Sequence, residues 1–417
     1  MAEEKTMKSL KIAIVGQGYV GLPLARAFVE SGISVFGIES NVEVAQKLNN
    51  RESHIEDISN EILESMFDSG LYSVNSDIQI VSQCDAVILC VPTPLDETSK
   101  PDLSVLTQAV EDVAPHIKEG AILISESTSF PGTLRDVIQP LINSMNAHAS
   151  KVHLATAPER VDPGNKSWNQ RNTPRLIAGI TEKASQRAVE IYSLIADNAI
   201  LVSSPEIAES AKLLENSFRL VNIAFINEFA QSMTKLGINA LEVIEAASTK
   251  PYGFMKFNPG IGAGGHCIPV DPVYLAHALE RENIEHTLLR QAISFNEKTF
   301  SFIIEKVKSE KNQPKKILLV GLSYKEGIND LRESPALSIL NELRKFYDVS
   351  FYDDEISQIE DQNRTFDRSG YDLVLILVKQ PKLSLNDLIK ENVKVWNCTG
   401  IKLGLPGVVE IFDGSHV

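Results

Sequence analysis

The chain has 417 residues, enough for two or three domains each with its own core. A formal charge of -15 excludes non-specific nucleic-acid binding, which wants a basic surface, so a negatively charged substrate needs a local basic pocket. No apolar run reaches roughly 18 residues and MAEEKTMKSL has no signal-peptide core, so a soluble, cytoplasmic protein with no membrane partner is expected.

The segment KIAIVGQGYVGLPLARAFVESGISVFGIE (11–39) runs from a β-branched strand through a glycine turn and a helical pattern to a second strand ending in an acid. This is the βαβ dinucleotide fingerprint in its structural context. Gly16 makes the tight turn, Gly18 admits the pyrophosphate and Gly21 lets helix and strand pack closely. Glu39 is expected to take the ribose hydroxyls and repel a 2′-phosphate, and no Arg or Lys follows until Lys47, so the cofactor expected is NAD. Further strands are read at CDAVILCVPTP (84–94) and GAILISEST (120–128), both ending in polar residues at the ligand edge of a doubly wound sheet.

PEIAESAKLLENSFRLVNIAFINEFAQSMTKLG (205–237) carries apolar residues at helical spacing without an internal Gly or Pro and predicts one extended helix. Lys212 and Asn216 lie four apart on one face of it. Helical patterns continue to about residue 310, a natural surface for a homodimer. Near the C-terminus the first pattern returns. KILLVGLS (316–323) echoes KIAIVGQG, VSFYDDE (349–355) stands where VFGIE stood, and YDLVLILVKQP (371–381) echoes CDAVILCVPTP. The turn GLSYKEG has lost GxGxxG but holds Lys325, with Arg332 soon after, which suits a smaller phosphorylated nucleotide; a solvated basic pair is the alternative. The fold expected is α/β, two Rossmann-like doubly wound domains joined by a long central helix and a helical dimerisation domain. Its divisions are 1–200 for NAD, 201–305 for the centre and 306–417 for the second nucleotide.

The four cysteines show neither CxxC spacing nor a disulfide framework, and the eight histidines form no metal pattern, so reduced thiols and no metal are expected. One cysteine stands apart. NPGIGAGGHCIPVDP (258–272) sets Cys267 behind four glycines and four residues ahead of Asp271. An alcohol-to-ketone oxidation needs only a base and a hydride acceptor. Carrying an alcohol on to an acid needs a tetrahedral aldehyde adduct, which a thiolate supplies as a thiohemiacetal that becomes a thioester. Cys267 suits that role. Asp271 could position the hydrolytic water, Lys212 could lower the thiol pKa, and Lys212 with Asn216 could stabilise oxyanions. An inert buried thiol is the competing reading of Cys267.

These motifs resemble the UDP-glucose/GDP-mannose dehydrogenase family over nearly the whole chain. The resemblance rests on GQGYVGLPLA (16–25), VPTP (91–94), ESTSFPGT (126–133), APERVDPGN (157–165), AESAKLLENSFRLVNIAFINE (208–228), GIGAGGHCIPVDP (260–272) and GLSYKEGINDLRESPA (321–336). It implies two NAD-dependent oxidations that turn the C6 alcohol of a nucleotide sugar into a carboxylate. By resemblance Cys267 is the thioester nucleophile, Lys212 and Asn216 handle protons and oxyanion charge, Asp271 orients water, and Glu159 assists acid/base chemistry and hydrolysis. Thr128 lies near the nicotinamide and the catalytic water. Tyr19, Val20, Thr93 and Glu126 join the glycines on the cofactor side. The UDP-sugar substrate falls to Glu159, Arg160, Lys212, Asn216, Tyr252, Gly264, Lys325 and Arg332, the last two on the UDP side or at a subunit contact.

Departures from the family pattern select a branch. Val270 stands where UDP-glucose enzymes carry a lysine, and Arg160–Val161 stands where they carry Phe-Leu. KPYGFMKFNPGIGAGGHCIPVDP and PERVDPGN are similar to the bacterial UDP-N-acetylhexosamine 6-dehydrogenases, the UDP-N-acetylglucosamine branch serving surface polysaccharides above all. UDP-N-acetylmannosamine and UDP-glucose are the alternative substrates, and a two-electron hydroxy-acid dehydrogenase is the remote one. The family arginine that crosses the dimer has no counterpart in STKPYGF.

Overall fold

The computed structural model describes residues 10–161, 165, 167–365, 370–384 and 393–414; the N-terminal MAEEKTMKS and residues 162–164 of the APERVDPGN motif lie outside them. The chain packs into two units, Met1–Glu215 with Val273–Asn283, and Asn216–Pro272 with Ile284–Val417.

In the first unit eight strands form one sheet: β1 (Lys11–Val15), β2 (Ser34–Ile38), β3 (Tyr72–Asn75), β4 (Ala86–Leu89), β5 (Ile122–Ser125), β6 (His153–Thr156), β7 (Arg175–Gly179) and β8 (Ala199–Leu201). Their order is β3-β2-β1-β4-β5-β6-β7-β8, parallel through β6, with β7 antiparallel to β6 and β8 parallel to β7. The first six strands therefore have the doubly wound order that places a dinucleotide at the β1–β4 switch point. The strands read as continuous apolar runs because both faces are covered. Ile12, Ile14, Ile88 and Ile124 enter one buried cluster, while Ala13, Val15, Val87 and Leu89 enter another on the opposite face. Helix Gly21–Glu30 buries Leu22, Leu24, Ala25, Phe28 and Val29, a spacing that keeps one stripe on the sheet.

The second unit repeats the scheme. Strands β9 (Lys316–Val320), β10 (Asp348–Tyr352), β13 (Leu373–Ile376), β14 (Lys394–Asn397) and β15 (Val408–Glu410) make a parallel sheet in the order β10-β9-β13-β14-β15, beside a small hairpin of β11 (Gln358–Ile359) and β12 (Gln362–Asn363). The echo between the two glycine turns is geometric as well as textual. Gly16 N–H donates to Ile38 O and Gly321 N–H donates to Tyr352 O, both at 2.8 Å, and both glycines have positive φ, +88° and +89°. The predicted long helix spans Pro205–Lys235, ending two residues before Gly237, whose φ is +71°. Its residues to Glu215 belong to the first unit and those from Asn216 to the second, where helices Ala240–Ser248, Thr287–Lys298 and Ser301–Ser309 follow.

Candidate active site

The cofactor side of the first unit is built by the turn after β1. A Cβ on Gly16 would lie 2.6 Å from Cys90 O, and one on Gly21 would lie 1.8 Å from Gly16 O, so neither position tolerates a side chain. Around Gly18 a Cβ would meet nothing within 4 Å, which leaves the backbone approachable at the position where a pyrophosphate must come close. Glu39 directly follows β2 and accepts from Gln17 N at 3.0 Å through Oε2 and from Asn41 N at 2.9 Å through Oε1. Tyr19 is half-buried, its hydroxyl 3.2 Å from Glu56; Val20 is also half-buried, and Thr93 is buried beyond β4. This open, acid-flanked turn fits NAD.

Beyond β5 and β6 the same unit contains a buried ionic cluster. Arg175, the first residue of β7, places Nη1 3.0 Å from Glu126 Oε1 and Nη2 2.8 Å from Glu159 Oε2. Glu159 also accepts from Arg160 N at 2.7 Å, Val161 N at 2.8 Å and Gln170 Nε2 at 3.1 Å. Burial works against its ionisation, but the Arg175 charge, the Val161 N–H, Lys212 and Gln170 together outweigh it and hold the carboxyl down at about 2. Glu126 shares the guanidinium with fewer donors, and burial pushes it up to about 7 despite Arg175. Expected at the cofactor, Glu126 turns its carboxylate inward to Arg175 and to the Tyr192 hydroxyl. Lys212 is buried and its Nζ donates to the Glu159 carbonyl. Thr128 is half-buried in the middle of the ESTSF segment. Arg160 forks onto Glu215, with Nε 3.1 Å and Nη2 2.6 Å from its carboxylate, and donates to Pro174 O at 2.8 Å.

The second unit holds the cysteine loop. Cys267 is exposed and not in a disulfide, whereas Cys84, Cys90 and Cys398 are buried with thiols that burial pushes up. Asp271 opens the helix Asp271–Arg281, donates its N–H to Cys267 O at 2.9 Å, and receives Asn216 Nδ2 on Oδ2 at 2.6 Å. The Cys267 main chain, the Asp271 carboxylate and the Asn216 amide are thus tied through one turn and one side-chain hydrogen bond. The glycines press the loop onto the turn after β9. A Cβ on Gly264 would come within 2.7 Å of Glu333 O, and one on Gly265, whose φ is +84°, within 2.7 Å of the Tyr324 ring. Gly265 N–H donates to Arg332 O at 3.0 Å, and Asn296 brackets Ala263, accepting its N–H at 2.7 Å and donating to its O at 3.0 Å.

The Arg332 guanidinium itself forks onto Asp330, Nη2 at 2.6 Å. Lys325 is half-buried in the same turn, its carbonyl accepting from Ser323 Oγ at 2.9 Å. Tyr252 is 72% exposed beside Lys250. Sequence reasoning missed Arg175, Tyr192, Tyr324 and Asn296. Only Tyr324 carried a signal, since it stands inside the GLSYKEG turn.

The chain matches the NAD binding domain of the UDP-glucose/GDP-mannose dehydrogenase family over residues 10–196, its central domain over 206–298 and its UDP binding domain over 318–395. It is 32% identical over 400 residues to a UDP-N-acetyl-D-mannosamine dehydrogenase of Methanocaldococcus jannaschii, covering 94% of this chain and 90% of that one. It is 32% identical over 350 residues to a UDP-N-acetyl-D-glucosamine 6-dehydrogenase of Pseudomonas aeruginosa, covering 82% and 81%. The solved UDP-D-ManNAc dehydrogenase of Pyrococcus horikoshii superposes with a TM-score of 0.85 at 32% identity, over 97% of this chain and 100% of that one. With its three blocks in family order and an open cofactor turn, the chain belongs to the UDP-glucose/GDP-mannose dehydrogenase family and is an NAD-dependent oxidoreductase.

Proposed function

We propose that this enzyme oxidises the C6 alcohol of a UDP-N-acetylhexosamine to the carboxylate in two NAD-dependent steps, through a thioester on Cys267. The observation that carries the reading is the exposed Cys267 one turn from a buried Asp271 whose carboxylate is held by Asn216. When bound, NAD would be held by the Gly16–Gly21 turn with Glu39 for its ribose hydroxyls and would accept one hydride in each oxidation. Lys212 takes the alcohol proton, and Lys212 with Asn216 stabilises the oxygen charge. The Cys267 thiolate adds to the aldehyde carbon, and loss of the second hydride leaves a thioester. Asp271 and Glu159 direct water onto that carbonyl, which releases the acid and returns the thiolate. Lys325 and Arg332 serve the UDP side, and the division of labour follows 1–200, 201–305 and 306–417. A cytoplasmic setting agrees with four cysteines outside any disulfide, and among the described residues no helix is long and apolar enough to cross a membrane.

The KPYGFMKFNPGIGAGGHCIPVDP loop favours the gluco epimer and surface-polysaccharide supply, while the name of the Methanocaldococcus relative favours the manno epimer as a second reading. One assay decides both chemistry and epimer. NADH formed per sugar is counted with UDP-N-acetylglucosamine, UDP-N-acetylmannosamine, UDP-N-acetylgalactosamine and UDP-glucose. Two NADH per sugar with kcat/KM highest for the gluco epimer is expected. One NADH per sugar removes the thioester route, and a higher kcat/KM for the manno epimer reassigns the substrate.

The helical segment supports a homodimer. Phe218, Phe225 and Leu288 are 46%, 63% and 72% exposed, and Phe225 and Leu288 line a groove of about 720 Å³ between the long helix and helix Thr287–Lys298. An apolar face of this kind is covered in most soluble proteins, and a second copy of the chain is the occupant proposed.

A further inference from the structure

Glu126 and Glu159 reach one guanidinium, Arg175, and all three side chains are buried. Two carboxylates sharing one cation out of water cannot both ionise without cost. The bonding is uneven. Glu159 takes four donors, at 2.7, 2.8, 2.8 and 3.1 Å. Glu126 takes Arg175 Nη1 and the Tyr192 hydroxyl on the same oxygen, Oε1. Its Oε2 has no hydrogen-bond partner among the described residues, which leaves that oxygen open to a proton. The Arg175 guanidinium also lies over the Tyr192 ring, 5.1 Å from its centroid, which fixes the fork.

We propose that Glu126, Arg175 and Tyr192 are positioning residues that set the basicity of Glu159, with Glu126 gaining and losing a proton at Oε2 to decide how much of the Arg175 charge Glu159 receives. The inference rests on the acid/base role proposed for Glu159. With Glu126 neutral, Arg175 acts on Glu159 alone and keeps it a weak base. With Glu126 ionised, the guanidinium is divided and Glu159 becomes more basic. The other charged or titratable groups that face the pair are Lys212 from the long helix, which bonds the Glu159 carbonyl, and Cys90 beyond β4. Burial lifts Glu126 to about 7, so the switch falls near neutral pH. Turnover therefore rises as pH increases through that region.

Glu126→Gln is the isostere of the protonated state and keeps Oε1 as acceptor. Its kcat above neutral pH is expected to fall to the acid-side value, about threefold to tenfold, with the inflection gone. Tyr192→Phe removes a donor from Glu126 and should move the inflection to higher pH. Difference infrared spectra of the wild-type protein, titrated from about pH 6 to about pH 8, should lose two protonated-carboxyl C=O bands, one from the buried Glu209, which burial also lifts to about 7, and one from Glu126 that is missing throughout in Glu126→Gln. A wild-type spectrum without the Glu126 band overturns the inference even if the glutamine variant fails to fold, and so does an unchanged kcat profile in Glu126→Gln. A Glu159→Gln variant with wild-type turnover removes the role of Glu159 and the coupling with it. A crippled Glu159→Gln alongside an unaltered Glu126→Gln profile leaves the reading of Glu159 standing and sinks the coupling alone.

Discussion

Cys267 differs from the other three cysteines in its surroundings rather than in its chemistry. Cys84 and Cys398 lie at 0% exposure and Cys90 at 9%, where burial disfavours a thiolate, while Cys267 meets solvent on a loop tied to Asp271. Cys267→Ser is therefore expected to lower production of the acid by roughly 10³-fold or more, because an alkoxide forms less readily than a thiolate and leaves an ester less readily. Mass spectrometry of acid-quenched enzyme with substrate and NAD should place a sugar adduct on the Cys267 peptide of the wild type. Cys84→Ala and Cys398→Ala should keep the rate and lose only packing stability. Two NADH per sugar at near-normal rate from the serine variant would end the covalent mechanism.

At the scale of elements, the four glycines of NPGIGAGGHC are not equivalent. Gly265 needs φ of +84° and lies against the Tyr324 ring, so Gly265→Ala combines backbone strain with a clash and should cost about 1–3 kcal/mol while displacing the cysteine. Gly260 has no positive φ, and a Cβ there would first meet Thr399 O at 3.7 Å, an ordinary contact. Gly260→Ala should stay within about 0.5 kcal/mol of wild type. Chemical denaturation of both variants, with kcat measured beside it, checks the contrast; equal losses would show that the loop is not pinned where the geometry places it. The turn before Cys267 was legible as a tight loop, but which glycine carries the constraint depends on Tyr324, some sixty residues downstream.

For the whole molecule, the groove lined by Phe225 and Leu288 is the prediction's ground. Phe225→Asp puts a charge on that face without touching a buried contact, so the fold should persist while sedimentation shows the apparent mass falling to that of one chain. A variant that remains a dimer at micromolar concentration would assign the interface elsewhere.

What the sequence determined by itself was whatever a local backbone demand writes into residue type. Gly16 and Gly21 had to be glycines because neighbouring carbonyls occupy the space of a Cβ; the strands had to be continuous apolar runs because both faces of the sheet are covered; and Gly321 repeats the arrangement of Gly16. Lys212 and Asn216 could be set on one face of a helix from spacing alone. The tertiary structure alone decided the partners. Arg175 meets Glu126 and Glu159, 49 and 16 residues away, because β7 lies beside β6, and no periodicity in the chain announces that pairing. The same holds for Glu126, which turns inward to Tyr192, 66 residues away. A buried charge takes whichever opposite charge the strand order brings within reach, and strand order is settled by the packing of the whole sheet rather than by the residues on either side.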